Sequence, residues 1–223
     1  MRKQQGGFTL IEIAIVLVII GLLLGGVLKG QELITAARVR NIISNQDGVK
    51  AAYFGFLDRY RALPGDYSAA NAVANIPGCA ACLGGNANGQ ILGDEAQIAW
   101  EHLSKAGFIT GSYTFPTAGA AASTTNTPTN PYGSLIQLIF DNVYQDPAGT
   151  IPSRHNLKTG ANIPSDIMAE VDRKVDDGLG TAGQLRYSTF GSAAAGSGTC
   201  YIAATGAWQS ATPNSNCGGA LLF

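Results

Sequence analysis

The sequence predicts an α+β protein in which one long N-terminal helix, membrane-spanning in its first half, packs on a small antiparallel β-sheet. Three observations predict this class. An apolar run opens the chain, a helical stripe of large side chains follows it, and strand-like and helix-like patterns then alternate with Gly- and Pro-rich turns. The 223 residues are enough for one core of moderate size and an accessory element.

Composition argues against several functional classes. Charged residues make up 13% of the chain and the net charge is −1, so no excess of basic residues points to nucleic acid, and no nucleic-acid partner is expected. The four cysteines are an even number and follow a membrane-targeting N-terminus. This combination favours disulfide bonds in an oxidising compartment.

The apolar run covers residues 8–28 and contains a single charged side chain, Glu12. As a helix it would span about 31 Å, which matches the bilayer hydrocarbon thickness of about 30 Å. Arg2 and Lys3 precede it, and this basic flank predicts a cytoplasmic N-terminus with the rest of the chain outside. The run is too long for a secretory signal and no A-x-A-like site closes it. Length and charge alone therefore indicate an uncleaved single-pass anchor.

Glu12 does not fit a simple anchor. A carboxylate at the bilayer centre costs about 2.5–3.5 kcal/mol on insertion scales, and the cost is lower near the interface. A plain anchor has no use for this group. A helix that must later pair with another chain does have a use for it.

The stretch "GFTLIE", with a short basic segment before it and an unbroken apolar run after it, resembles the class III signal of type IV pilins and type II secretion pseudopilins. The resemblance implies that a prepilin peptidase cuts after Gly7 and methylates the new N-terminal Phe8. It also implies that Glu12 pairs with the amine of a neighbouring subunit's Phe8 inside a filament.

The same resemblance implies a domain plan and a location. Residues 1–7 are the leader, 8–28 the membrane or filament-core helix, 29–63 its continuation, and 64–223 a globular head. The precursor would sit in the bacterial inner membrane with a periplasmic head, and the assembled filament would lie in the periplasm or at the cell surface. Its partners would be the peptidase, the membrane and other pilin or pseudopilin subunits.

The helix is predicted to continue past the membrane. Large side chains recur at helical spacing, and "LPGD" ends the pattern after Ala62. The stripe consists of Ile42, Val49, Tyr53, Phe56 and Tyr60. Four glycines, at 21, 25, 26 and 30, are costly in a helix and indicate either close helix packing or a segment that can unwind. Many pilins carry a kinking proline in this part. This sequence has no proline there, which makes it more similar to the pseudopilins.

The head should contain a sheet and short helices. The segment "GDEAQIAWEHLSKAG" is predicted as a helix that begins at Asp94, its N-cap, with Gln97 as the capping-box partner. Gly107 is predicted to end this helix, and His102 is predicted to lie on its exposed face. In "IPSDIMAEVDRKVDDG", Ser165 is the predicted N-cap. The segments "SLIQLIFDNVY", "QLRYSTF" and "TCYIAA" are predicted as strands, the last two as an antiparallel pair. Residues 117–131 are predicted as a polar loop.

The cysteines form two local sets. Cys79 and Cys82 lie in a Gly- and Pro-rich loop, which favours a structural disulfide that closes the loop over a redox-active C-x-x-C motif. Pilins commonly carry a disulfide near the C-terminus, and the pair Cys200 and Cys217 resembles it. We favour pairing within each set, although four cysteines also allow cross-links between the sets.

Two segments are candidates for calcium, the one cofactor that the sequence suggests. In "GGNANGQILGDE", Asn86, Asn88 and Glu95 have EF-hand-like spacing, but only one carboxylate remains, and a simple turn before a helix is the alternative.

Asp172, Asp176 and Asp177 form the second candidate cluster. Calcium binding in a C-terminal loop is known among pseudopilins, so the resemblance allows an ion here. Solvation of a helix end is the alternative.

No catalytic set stands out. The two histidines, His102 and His155, have no metal-binding spacing, and "GLGTAG" follows a helix rather than a strand, so it is interpreted as a turn and not a phosphate loop. We therefore expect that the protein is not an enzyme.

The first interpretation of its function is a structural filament subunit. The second is a minor pilin that acts as a tip, initiation or ligand-binding module. Glu12 favours the first, because tip subunits can lack this acid.

Overall fold

The structure is a computed structural model that describes residues 9–147, 149 and 151–223. The predicted processing residues Gly7 and Phe8 lie outside the described residues. The chain divides into two compact units, one up to Arg38 and the other Val39–Phe223.

The predicted α+β class is confirmed. In chain order the elements are α1 (Leu10–Tyr60), α2 (Ala69–Asn75), α3 (Glu95–Lys105), β1 (Gln137–Asp141), β2 (Arg154–Lys158), α4 (Ser165–Val175), β3 (Leu185–Tyr187) and β4 (Gly219–Leu222).

Helix α1 is 51 residues long. It continues through the four glycines at 21, 25, 26 and 30, and a Cβ at any of them would meet no atom within 4 Å. In the second unit the predicted stripe packs against the core: Ile42, Val49, Tyr53 and Phe56 are buried, and Tyr60 is partly buried. The helix ends at Tyr60, slightly before the predicted Ala62, because Arg61 adopts a left-handed φ of 53°.

The sheet has four antiparallel strands in the order β1-β2-β4-β3. Its register aligns Leu138 with Leu157, Leu157 with Leu221, and Leu221 with Leu185. All four leucines are buried in the main core, together with the stripe of α1. The ring of Tyr53 on α1 lies 5.9 Å from that of His155 on β2. One face of the sheet therefore packs toward the helix, as predicted.

The opposite face of the sheet holds a smaller apolar cluster and a buried charge. Ala220 and Leu222 pack with Tyr144, from the segment that follows β1. Lys158 is completely buried; its Nζ donates to the Val143 carbonyl at 2.6 Å and pairs with Asp141 at 2.8 Å. This lysine fixes the segment after β1 over the sheet.

The strand assignment needs a correction. "TCYIAA" is not a strand: Tyr201 makes only isolated bridges, to Ser197 and Trp208. The partner of β3 is β4, which the sequence analysis did not predict, and β2 was missed as well. Both missed strands lack an apolar–polar alternation, because β2 buries Lys158 and every residue of β4 is buried.

Of the two predicted helix caps, Asp94 is confirmed in position but not in its side-chain hydrogen bond, and Ser165 is wrong. Asp94 occupies the N-cap position of α3 but makes no side-chain cap; its Oδ2 accepts a hydrogen bond from the Gly119 N–H at 2.6 Å. Helix α4 begins at Ser165, with Pro164 at its N-cap position. The Ser165 hydroxyl donates to the Gln209 carbonyl and accepts from the Asn214 N–H. In both cases a partner distant in sequence displaced the local cap.

His102 is buried, contrary to the expectation of an exposed face. Its Nδ1 accepts from the Gly65 N–H at 3.2 Å, and its Nε2 lies 2.9 Å from the Leu83 carbonyl as a donor. The ring stacks parallel to that of Phe56. Burial lowers the pKa of His102 to about 4. A neutral histidine therefore joins α3 to the turn after α1 and to the loop before α3.

Candidate functional site

The beginning of α1 is closed by a reciprocal cap. Thr9 immediately precedes the first helical residue, Leu10. The backbone N–H and the hydroxyl of Thr9 both donate to Glu12 Oε2 at 2.7 Å, and the Glu12 N–H donates to Thr9 Oγ1 at 3.3 Å. This is the capping box, in which the first and fourth residues of the turn satisfy each other's free N–H groups.

The cap gives Glu12 a local role that the sequence analysis missed. Thr9 was not singled out, although a T-x-x-E pattern before an apolar run is the sequence signature of this cap. Among the described residues, every contact to the Glu12 side chain goes to Oε2. The other oxygen, Oε1, remains for a further donor.

The first half of α1 exposes a continuous apolar surface. Every residue from 9 to 29 is exposed, and large side chains such as Leu10 (88%) and Leu22 (73%) are almost bare. By length and composition α1 is able to cross a membrane. Soluble monomers rarely expose apolar patches of this extent, so the surface requires lipid or other protein around it. These features fit anchoring in the inner membrane.

The second candidate site lies at the end of α4. One carboxylate oxygen from each of Asp172, Asp176 and Asp177 lies within 4.8 Å of the other two. Asp172 is completely buried, Asp176 is partly buried and Asp177 is exposed. The structure thus brings the predicted second acidic cluster together.

Asp172 is held by a tryptophan that the sequence analysis did not connect with it. The Trp208 indole N–H donates to Asp172 Oδ2 at 2.6 Å, whereas Oδ1 has no partner of normal geometry among the described residues. Burial raises the pKa of Asp172 to about 7. The neighbouring charges of Asp177 and Asp176 act in the same direction, and the hydrogen bonds from the Trp208 indole and the Gly178 backbone N–H oppose them.

The first predicted calcium segment is organised as a hydrogen-bonded turn. Glu95 accepts backbone N–H groups with both oxygens, from Asn86 at 3.0 Å and Leu92 at 2.9 Å. Asp66 accepts from Asn88 and from the following glycine. Asp66 comes from the "LPGD" segment, 22 positions before Asn88, so no local pattern predicts its role in this loop. These carboxylates stabilise the loop before α3 directly.

The structure contains the two favoured disulfides, Cys79–Cys82 and Cys200–Cys217. All four cysteines are buried. Cys217 also belongs to a bridge with Ile163, just before α4. The second disulfide therefore ties the loop that contains Trp208 to the chain that leads into β4.

Comparison with known proteins identifies the N-terminal segment. Residues 2–28 match the family model described as the prokaryotic N-terminal methylation motif. No curated protein and no solved structure gave a significant match to the chain. The matched residues include the cap formed by Thr9 and Glu12 and the exposed apolar part of α1. The chain therefore carries a prepilin-type N-terminal signal of the kind found in type IV pilins and pseudopilins.

Proposed function

We propose that this chain is a prepilin that is cleaved after Gly7, methylated on Phe8 and assembled through α1 into a type IV pilus or a type II secretion pseudopilus. The observation that carries the proposal is the exposed apolar half of α1, headed by the Thr9–Glu12 cap and matched by the methylation motif. Such a helix needs a lipid environment before assembly and a protein environment after it.

Cleavage would create the partner that Glu12 needs in a filament. It frees an amine on Phe8, directly before the capped turn. Glu12 uses Oε2 for the cap, so Oε1 is able to accept a hydrogen bond from the amine of a neighbouring subunit. A buried charge that loses its partner is strongly destabilising, which makes assembly selective for processed subunits.

The basic leader and the disulfides support the proposed topology. Arg2 and Lys3 precede the apolar run and favour a cytoplasmic N-terminus. The two disulfides of the head suit an oxidising compartment such as the periplasm. The head would then be outside the inner membrane, and the prepilin peptidase would act at its cytoplasmic side.

One feature of the head favours a second candidate function, that of a minor pilin which binds a ligand. A cavity of about 440 Å³ lies beside α1 in the second unit. Trp100, Phe108 and Tyr113 contribute aromatic rings to its lining, and all lining residues are uncharged. A cavity of this kind suits a neutral ligand with both apolar and hydrogen-bonding groups.

Processing tests the proposal. Glycine has no side chain, so the peptidase is able to approach the backbone at Gly7, and bulk there should block the cut. We expect Gly7→Val to remain an uncut precursor in the membrane and Gly6→Val, the matched control, to be cut. Mass spectrometry of the mature wild-type protein should find N-methylated Phe8. An intact Met1 terminus on assembled protein would contradict the proposal.

A further inference from the structure

We propose that the cavity beside α1 in the second unit binds a neutral saccharide. The proposal names the ligand class for the second candidate function, ligand binding by the head, and rests on that function. It does not depend on cleavage or on filament assembly. Three observations lead to it: an uncharged wall, polar side chains whose hydrogen-bonding groups are unused, and a covered tryptophan N–H that lacks an acceptor.

The size and the position of the cavity suit a small ligand. Its volume of about 440 Å³ lies within the range of about 300–1,000 Å³ that is usual for ligand sites. The wall is formed by Val49 on α1, Trp100 on α3, Tyr113 in the segment after α3, and Thr129 in the segment before β1, together with their neighbours. All of them lie in one compact unit. The cavity is therefore built by a single chain.

The wall excludes charged ligands. Among the described residues that line the cavity, none is charged. A phosphate, carboxylate or ammonium group that entered it would lose its water and find no opposite charge, which is costly. The ligand should therefore be neutral.

Polar side chains of the wall are available to a ligand. The cavity is lined by the hydroxyl and amide groups of Ser44, Asn45, Thr110, Tyr113 and Thr129. Within the described part of the chain, no hydrogen bond engages any of these side chains. Hydroxyl and amide side chains both donate and accept, and so does every hydroxyl group of a sugar. An apolar ligand would leave these groups without partners, so the wall favours a ligand rich in hydroxyl groups.

Apolar side chains of the wall complete the match. Phe108 and Tyr113 line the cavity and are only partly buried, and Ile109 adds aliphatic surface between them. An aromatic ring offers a broad flat surface with a negative face, against which the C–H groups on the face of a sugar ring are able to pack. A saccharide has this combination of an apolar face and a polar edge.

Trp100 supplies an independent observation. It is completely buried, and its indole Nε1 has no hydrogen-bond partner among the described residues. A buried donor without an acceptor is costly, and native structures rarely keep one. Because Trp100 is covered, a ligand oxygen reaches this N–H only when neighbouring side chains of the wall move slightly. Such a movement would satisfy the donor, so binding should perturb Trp100.

A protein partner fits the cavity less well than a saccharide does. An extended peptide adds a strand to a sheet edge, and a helix binds in an apolar groove. The described residues that line the cavity belong to helices and connecting segments, and none belongs to a strand of the sheet. Hydroxyl and amide groups also interrupt its apolar surface. A compact ligand is therefore favoured over a segment of another chain.

An NMR titration of the full-length protein in micelles tests the proposal, with cellobiose and N,N′-diacetylchitobiose as probes. The chain contains two tryptophans, so two indole N–H signals are expected. Trp208 donates to Asp172 and is not part of the cavity wall, which makes it an internal reference. We expect at least one of the two saccharides to shift the Trp100 signal saturably and to leave the Trp208 signal in place. Trp100→Phe assigns the two signals.

Gly48→Leu is the variant that should block the cavity. Gly48 lines it from α1, and a Cβ at this position would meet no atom within 4 Å. Leucine is also a better helix former than glycine, so the variant should fold. We expect Gly48→Leu to lose saturable binding. Asp47→Leu, an exposed change at the preceding position outside the wall, is the matched control and should bind like the wild type. Circular dichroism melting curves check that both variants are folded.

Several outcomes would overturn the proposal. One is the absence of a saturable shift with both saccharides, and another is equal saccharide affinity in Gly48→Leu and Asp47→Leu. A third is a saturable shift of the Trp100 signal by an uncharged peptide blocked at both ends but by neither saccharide; this result would keep ligand binding and reject the saccharide. None of these measurements involves cleavage at Gly7 or assembly, so their failure is distinguishable from failure of the proposed prepilin function.

Discussion

Thr9 and Glu12 cap the first turn of α1 reciprocally, with the Thr9 N–H donating to Glu12 Oε2 and the Glu12 N–H donating to Thr9 Oγ1. The acid in the apolar helix therefore has a local role besides any role between subunits. The two roles are separable by mutation. Glutamine retains the capping geometry and loses the charge, whereas replacing Thr9 retains the charge and disrupts the cap.

Thr9→Ala should loosen the first turn of α1. Loss of an N-cap side chain costs about 1 kcal/mol. Hydrogen exchange of the full-length protein in micelles should show faster exchange of the amides of Glu12 and Ile13, whose acceptors are the hydroxyl and the carbonyl of Thr9. Thr9→Ser retains the hydroxyl and serves as the control. Equal exchange in Thr9→Ala and Thr9→Ser would show that the cap contributes little in this environment.

His102 should make the stability of the head depend on pH. Its folded-state pKa of about 4 lies below the ordinary 6.5, so the unfolded chain binds more protons between these values. The stabilisation is complete above about pH 6.5 and is lost as the pH falls toward 4, with a total on the order of 3 kcal/mol. Denaturant unfolding at several pH values measures it.

His102→Gln is the control for this pH dependence. Glutamine does not titrate, so the loss of stability between pH 6.5 and 4 should become smaller. Burial also lowers the pKa of His155, which adds a dependence of the same sign, whereas Asp172, whose pKa is raised to about 7, stabilises the folded state as the pH falls and acts in the opposite direction. The contribution of His102 is therefore the difference between the wild-type and His102→Gln curves. An unchanged slope in His102→Gln would exclude His102 as its main source.

Removing the disulfides should destabilise the head unequally. Cys200–Cys217 has a sequence separation of 17, and Cys79–Cys82 one of 3. Loop-entropy arguments give about 3 kcal/mol for the longer loop and about 2 kcal/mol for the shorter one. Replacing each pair by two serines and measuring unfolding free energies tests the order. A larger loss for the short loop would contradict the entropic account.

Lys158→Met should be among the most destabilising single changes in the sheet. It removes the ammonium group from the Asp141 carboxylate and the Val143 carbonyl, which keep hydrogen bonds from Asn156 and Ser188. Because Asp141 is also partly exposed, the cost should lie at or below the lower end of the range for a broken buried ion pair, about 3 kcal/mol. The double variant Lys158→Met/Asp141→Leu removes both charges and should recover part of the loss. Equal unfolding free energies for the single and double variants would show that the unpaired carboxylate is not the cause.

Local patterns predicted α1, α3 and α4, whereas α2 was not predicted. The stripe from Ile42 to Phe56 follows the helical period, and Gly107 ends α3 with a left-handed φ of 79°, as predicted. The acidic cluster was also predicted from the sequence, because Asp172 and Asp176 are four positions apart, and this spacing places both on one side of the end of α4. The T-x-x-E pattern of Thr9 and Glu12 would have predicted the cap, but it was not recognised.

The missed features depend on contacts distant in sequence. Strand β2 buries Lys158, whose partner Asp141 belongs to another strand, so its pattern does not resemble a buried strand. The burial of His102 was not predicted, because its partners Gly65 and Leu83 come from two separate loops. Asp172 receives its hydrogen bond from Trp208, 36 positions away. No local pattern encodes such pairs.

We propose that α1 assembles subunits through a charge pair at Glu12, and the decisive measurement is the ratio of sheared filament to membrane pool. All variants retain the cut site and should be processed normally. We expect Glu12→Val to be absent from filaments, Glu12→Gln to be reduced, and Thr9→Ala, which retains the charge, to assemble near the wild-type ratio. Leaving a buried charge without its partner costs several kcal/mol, which is enough to exclude a subunit. Assembly of Glu12→Val at the wild-type ratio would contradict the account.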